Sequence, residues 1–273
     1  MLPLPPAARA GAHILLLTLG LAVLAPMLMV LGTAFKGAGE AFSPVPWPLD
    51  PTFANFRTVL VETPFLTYLG NSVATTFLRV AGQLLFALLA AYAFARWRFA
   101  GRDFLFALVL GAMMIPHQLT VIPIYRLIAD LGWFDSWAGL VVPNLAAPFG
   151  AFLLRQHLLS FPPSLYEAAE LDGAGPLRAL WHVVVPALRP ALAALAIFLF
   201  IECWNEYFWP LLVAPSPEAR TLQVGMRAFL EEEYANYGAL MAGVTLAGLP
   251  ALVFFLALQR QVMQTFTSSG LTG

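Results

Sequence analysis

Charge is what this chain has least of. Of its 273 residues 11% are charged and 60% are hydrophobic, whereas soluble domains carry about 25% charged residues. So few charges cannot clothe a water-soluble globule of this length, so the composition points to a polytopic membrane protein. Lysine is nearly missing, with Lys36 the only one, and no Gly-x-x-x-x-Gly-Lys-Ser/Thr phosphate loop occurs. That removes the usual route to nucleotide hydrolysis. A single cysteine, Cys203, leaves no internal disulfide. The four histidines, His13, His117, His157 and His182, fall in different segments without metal-ligand spacing, so no metal or cofactor is expected on this chain. A net charge of −1 offers no basic field to nucleic acid.

Long apolar runs fill the sequence instead. About 20 apolar residues cross ~30 Å of hydrocarbon, and six runs qualify, at about 13–35, 68–95, 103–129, 137–159, 183–212 and 237–258. The expected fold is all-α, a six-span transmembrane domain over 13–260 between an N-terminal segment 1–12 and a tail 261–273. The first run is long enough to span and lacks a small-residue cleavage site, so it reads as a retained helix. The connector after it holds Pro44, Pro46, Pro48 and Pro51 around Trp47, which excludes a regular helix; 52–60 suits a short amphipathic one. With both termini cytoplasmic, inner segments hold eight basic residues and outer ones five, and Arg96, Arg98 and Arg102 form the densest cluster. The positive-inside rule favours that orientation.

One stretch, 161–186, interrupts the apolar pattern on the inner side. Pro162-Pro163 ends the fourth run. Ser164 is placed to cap a helix over 165–172, with Glu167 three residues on completing a capping box. Gly173 and Gly175 break that helix, and Pro176 can open another. Ala168 and Ala169 let a second surface approach the backbone, while Glu167 and Glu170 share a face.

The run Glu167-Ala168-Ala169, three residues, Gly173, nine residues, Val183-Val184-Val185-Pro186 resembles the EAA motif of ATP-binding-cassette importer permeases, matching at every position. Met113-Met114-Ile115-Pro116, Gly150-Ala151-Phe152-Leu153-Leu154-Arg155-Gln156, Trp204-Asn205-Glu206-Tyr207-Phe208-Trp209-Pro210-Leu211 and Thr221-Leu222-Gln223-Val224-Gly225 are similar to the carbohydrate-uptake branch, specifically the type of the maltose permease's second subunit. The resemblance covers nearly the whole chain. It implies a multi-pass protein of the cytoplasmic (inner) membrane whose 161–186 loop is a cytoplasmic coupling helix. Glu167, Ala168, Ala169, Glu170, Asp172, Gly173 and Pro186 would then form the ATPase-coupling site. Implied partners are a second, homologous permease, two ABC ATPase subunits that bind ATP and Mg, and an extracytoplasmic solute-binding protein, in contact with membrane lipid. In relatives the tail often continues past the Gly-Leu-Thr ending and reaches between the two ATPase subunits; here the Gly270-Leu271-Thr272 ending is followed by Gly273 alone, and the resemblance assigns this tail no role.

Ionisable groups in hydrocarbon cost at least ~2.5–3.5 kcal/mol and usually face an interior. Glu202 and Glu206, four apart, share a helix face. Trp204, Asn205 and Tyr207 surround them, and this mixture of aromatic faces, carboxylates and an amide suits a sugar. Anchoring at the outer interface is the alternative. Arg79, at similar depth, is expected to pair with one of the glutamates. His117 and Gln118 after Pro116, and Asn144 after Pro143, sit where a helix loses a backbone hydrogen bond, and they suit a gate or path. The expected function is thus sugar or polyol import. A charged solute such as glycerol 3-phosphate is the runner-up, and an ion-coupled transporter using Glu202 and Glu206 is the rival from another class. An intramembrane enzyme would need a nucleophile with a base or metal ligands, and neither pattern occurs.

Overall fold

The computed structural model describes residues 5–37, 39–231 and 236–269. Glu232, Glu233 and the Gly270–Gly273 ending lie outside them. Among the described residues the structure is helical, without strands. The principal helices are α1 (Pro6–Ala34), α2 (Phe65–Arg96), α3 (Arg102–Ala112), α4 (His117–Asp130), α5 (Trp137–Asn144), α6 (Pro148–Leu159), α7 (Pro163–Leu171), α8 (Pro176–Ala187), α9 (Arg189–Trp204), α10 (Phe208–Val213) and α11 (Tyr237–Ser269). Three of them, α1, α2 and α11, are long and apolar enough to cross a membrane unaided, and the number rises to six if each bent pair is one span.

Those pairs bend sharply. The α3–α4 pair turns by 96° over Met113–Pro116, α5–α6 by 44° before Pro148, and α8–α9 by 80° at Leu188. The helix expected over 183–212 is therefore not continuous. Pro190 enters α9 in its first turn. The chain then breaks at Asn205–Tyr207 before α10, because Pro210 cannot donate to the carbonyl of Glu206 and its ring would strike it. Pro123, by contrast, lies inside α4 without ending it.

The chain forms two compact units, Met1–Leu66 with Gly225–Leu249, and Thr67–Val224 with Pro250–Gly273. In the first, the end of α1 is tied down by Asn55, whose amide donates to Ala34 O at 3.0 Å and Lys36 O at 2.8 Å. Phe35 packs among Trp47, Phe53 and Phe56 at centroid distances of 4.9–5.5 Å. Lys36 is buried, and its ammonium donates to Ser43 O at 2.9 Å. The short helix expected at 52–60 is one α-turn, Ala54–Arg57, running into a π-turn, Thr58–Glu62.

In the second unit the core joins α4, α5 and α10 through Val121, Ile128, Leu140, Trp209 and Val213. The Trp209 indole N–H donates to Gly139 O at 3.0 Å. Gly139 must lack a side chain, since a Cβ there would lie 2.3 Å from Trp133 O. Phe200 of α9 stacks on Phe254 at 4.1 Å.

Candidate functional site

The polar stretch 161–186 folds as helix, turn, helix. Helix α7 starts at Pro163, with Pro162 at the cap position and no side-chain cap. The expected Ser164 capping box is not formed. Proline at the first helical position has no N–H to satisfy and a φ already suited to the helix, so the start falls earlier and Ser164 lies inside the first turn. The C-terminal end closes as a Schellman motif, in which Ala174 N donates to Ala169 O at 2.9 Å and Gly173 N to Glu170 O at 3.0 Å. Gly173 takes φ +74°, a left-handed conformation that glycine adopts without cost. Pro176 then opens α8, as expected.

The turn satisfies its own backbone and leaves its side chains outward. Glu167, Ala168, Leu171, Asp172 and Leu177 are exposed, with Leu171 at 89%. Ala169 is not part of that surface. It is 6% exposed, because successive helix positions point about 100° apart, and only Ala168 of the pair is open. Glu170 is exposed but engaged, in an ion pair with Arg96 at the end of α2. The Arg96 guanidinium also lies over the Tyr166 ring, 5.1 Å from its centroid. Burial raises the Tyr166 hydroxyl above the usual tyrosine range, with Tyr92 adding to the rise and Arg96 opposing it. Pro186 is half-buried within α8.

The second site lies around the α9–α10 break. Trp204 and Glu206 line one cavity with Arg79, Ser72, Thr76 and Thr221. Its volume is about 20 Å³, room for roughly one water, so in this chain alone it does not hold a sugar ring. Arg79 was expected to pair with a glutamate. It lines the cavity beside Glu206, yet among the described residues it has no ion-pair partner, and its Nε is buried without a hydrogen bond. Glu206 is instead drawn to backbone, accepting from Trp209 N at 3.3 Å and so capping α10. Thr221 Oγ1 is a second buried, unsatisfied atom in the same wall.

The remaining path residues do not gather there. Glu202 and Asn205 lie on an exposed stripe of α9 with Phe198 and Ile201. The Asn205 amide donates to Ile201 O of its own helix at 2.9 Å. Tyr207 is half-buried. His117 and Gln118 are exposed at the start of α4. Asn144 donates to Leu140 O at 3.2 Å and its carbonyl accepts from Gln83 at 2.7 Å.

The sequence reading overlooked a polar stripe on α2. Asn71, Thr75, Arg79 and Gln83 recur every four residues, one helix face; the other three are buried, as are neighbouring Ser72 and Thr76. Asn71 donates to Glu218 O at 2.7 Å and Arg220 O at 3.1 Å, and the Ser72 hydroxyl accepts from Leu222 N at 2.7 Å. The stripe therefore staples the connector after α10. Its period was visible in the sequence.

Residues 83–266 match the family described as binding-protein-dependent transport system inner membrane component. The chain is 32% identical to the arabinooligosaccharides transport system permease protein AraQ of Halalkalibacterium halodurans, over 94% of this chain and 96% of that one. It is 34% identical to the sn-glycerol-3-phosphate transport system permease protein UgpE of Yersinia pestis, over 76% and 75%. Its fold is similar to a chain in the crystal structure of a bacterial ABC transporter involved in the import of the acidic polysaccharide alginate, with a TM-score of 0.83 at 25% identity, covering 95% of this chain and 99% of that one.

Proposed function

Because the chain belongs to the binding-protein-dependent transport system inner membrane components, we propose that it carries a carbohydrate inward, driven by an ATPase docked on the α7–Gly173–α8 turn. It is a permease subunit of an ABC importer that works with a solute-binding protein, and ATP hydrolysis belongs to a separate subunit. The docking proposal rests on one observation. The turn closes its own hydrogen bonds yet leaves acidic Glu167 and Asp172 beside apolar Leu171 and Leu177, all exposed. An acidic surface with open leucines suits a partner that is basic and partly apolar.

In this reading both termini and the turn are cytoplasmic, and each bent pair counts as one of six spans. A second, similar permease covers the α9 stripe of Phe198, Ile201, Glu202 and Asn205. That would complete a path too small within this chain alone. Closure of the ATPase pair moves the turn, and the bends at Met113–Pro116 and Leu188 are where spans change direction.

Carbohydrate as the solute class is supported by the arabinooligosaccharide and alginate relatives. A second reading, an anionic solute, is favoured by the Arg79 guanidinium, which lacks an ion-pair partner in the cavity wall. Proteoliposomes holding this chain, a second permease, the ATPase and a solute-loaded binding protein test both. Uptake of a neutral oligosaccharide that requires ATP and the binding protein is expected. Uptake that proceeds without ATP and follows a proton or sodium gradient would overturn the proposal. Uptake confined to phosphorylated or carboxylated solutes would establish the second reading.

A further inference from the structure

The end of α2 holds the coupling turn by both of its arms. On one side of Gly173, Arg96 forms the ion pair with Glu170 and lies over the Tyr166 ring, both on α7. On the other side, the Tyr92 hydroxyl donates to the carbonyl of Pro176, the first residue of α8, at 3.3 Å. Tyr92 is 3% exposed. Its ring lies 5.0 Å from Trp97 and 6.4 Å from Tyr166, which ties the two attachments into one cluster.

We propose that Arg96 and Tyr92 are positioning residues that clasp the coupling turn to α2, making α2 a second route by which movement of the turn reaches the solute path. This rests on the reading that the turn receives the ATPase. The direct route from the turn leads through α8 into α9, and it contains the 80° bend at Leu188. Helix α2 has no such bend and no proline. From Arg96 back to Arg79 it rises about 26 Å at 1.5 Å per residue, and Arg79 stands in the cavity wall beside Glu206. A straight helix transmits an axial push or tilt with less loss than one turning a corner, so the clasp gives the turn a stiff connection to the same cavity.

A charge-swap cycle in the reconstituted full transporter tests this. R96A and E170A each should lower solute moved per ATP hydrolysed by about fivefold while the purified complex keeps its ATPase subunits. The double variant R96A/E170A should be no worse than either alone, and R96E/E170R should recover at least half of the loss. Y92F should lower the ratio by about twofold. Spin labels at positions 98 and 172, in a chain carrying C203S, should keep one distance with and without ATP, and R96A should broaden it. Additive single effects, failure of the swap to recover, or loss of ATPase subunits in R96A would overturn the clasp. E167K separates this from the underlying reading. If E167K keeps ATPase subunits and uptake, the docking reading itself fails; if E167K loses them while R96A transports normally, only the clasp fails.

Discussion

The turn at Gly173 and the cavity at Glu206 use polar residues in opposite ways. At the turn, backbone groups are satisfied locally by the Schellman closure at Gly173, and acidic side chains are left for something else to meet. Around Glu206, side chains are taken up by the chain's own packing. Asn71 and Ser72 hold a connector, Gln83 holds Asn144, and Glu206 caps α10. A polar group removed from water must find a partner, so inside the spans most such residues serve the fold first. Exposure at the turn thus points to a partner more strongly than a carboxylate within a span points to a solute.

The largest expected effect breaks the turn's side of that contrast. Glu167→Lys leaves every internal hydrogen bond in place, and charge reversal at a docking surface costs several kcal/mol. ATP-dependent uptake should fall by at least tenfold with normal membrane insertion, measured by transport and by co-purification of the ATPase. Gly139→Ala probes the packed side. Its Cβ would meet Trp133 O, and overpacking of this kind costs about 1–3 kcal/mol. Thermal unfolding of the purified chain should shift down accordingly.

Gly173→Ala meets no neighbouring atom within 4 Å, so its cost is the left-handed backbone alone, about 1 kcal/mol. Gly173→Asn should recover most of it in the same unfolding assay. Glu206→Gln keeps an oxygen to cap α10 and removes the charge, so stability should stay within about 0.5 kcal/mol while the rate of uptake changes. Unchanged uptake would assign Glu206 to packing alone. The smallest effect belongs to Ser164→Ala. Loss of a real N-cap costs about 1 kcal/mol; here unfolding and uptake should match the parent chain.

The same contrast explains what the sequence could disclose. The turn was legible because its determinants are local. Proline, glycine and the acidic residues act within a dozen positions, and the motif keeps them in register. Even so, Ser164 misled, since Pro163 starts the helix before it, and Ala169 pointed inward. The apolar runs were legible from length alone, and prolines marked two of the bends, at Pro116 and between Pro143 and Pro148, but proline alone does not decide where a bend falls. Pro123 is carried within a helix while Leu188, which is not proline, sits at an 80° corner; the outcome depends on what packs around each break. Arg79 shows the limit most plainly. Depth along a helix placed it near Glu206, but only the rotation of α2 against α9 and the demands of α10 decide whether they touch.

The burial of Lys36 has a practical corollary. The single lysine, Lys36, is 4% exposed with its ammonium donating to Ser43 O, and the single cysteine, Cys203, is buried as well. Side chains of the folded chain therefore offer amine- and thiol-directed reagents almost nothing to attack. A cysteine introduced at any exposed position becomes an address used by the probe alone.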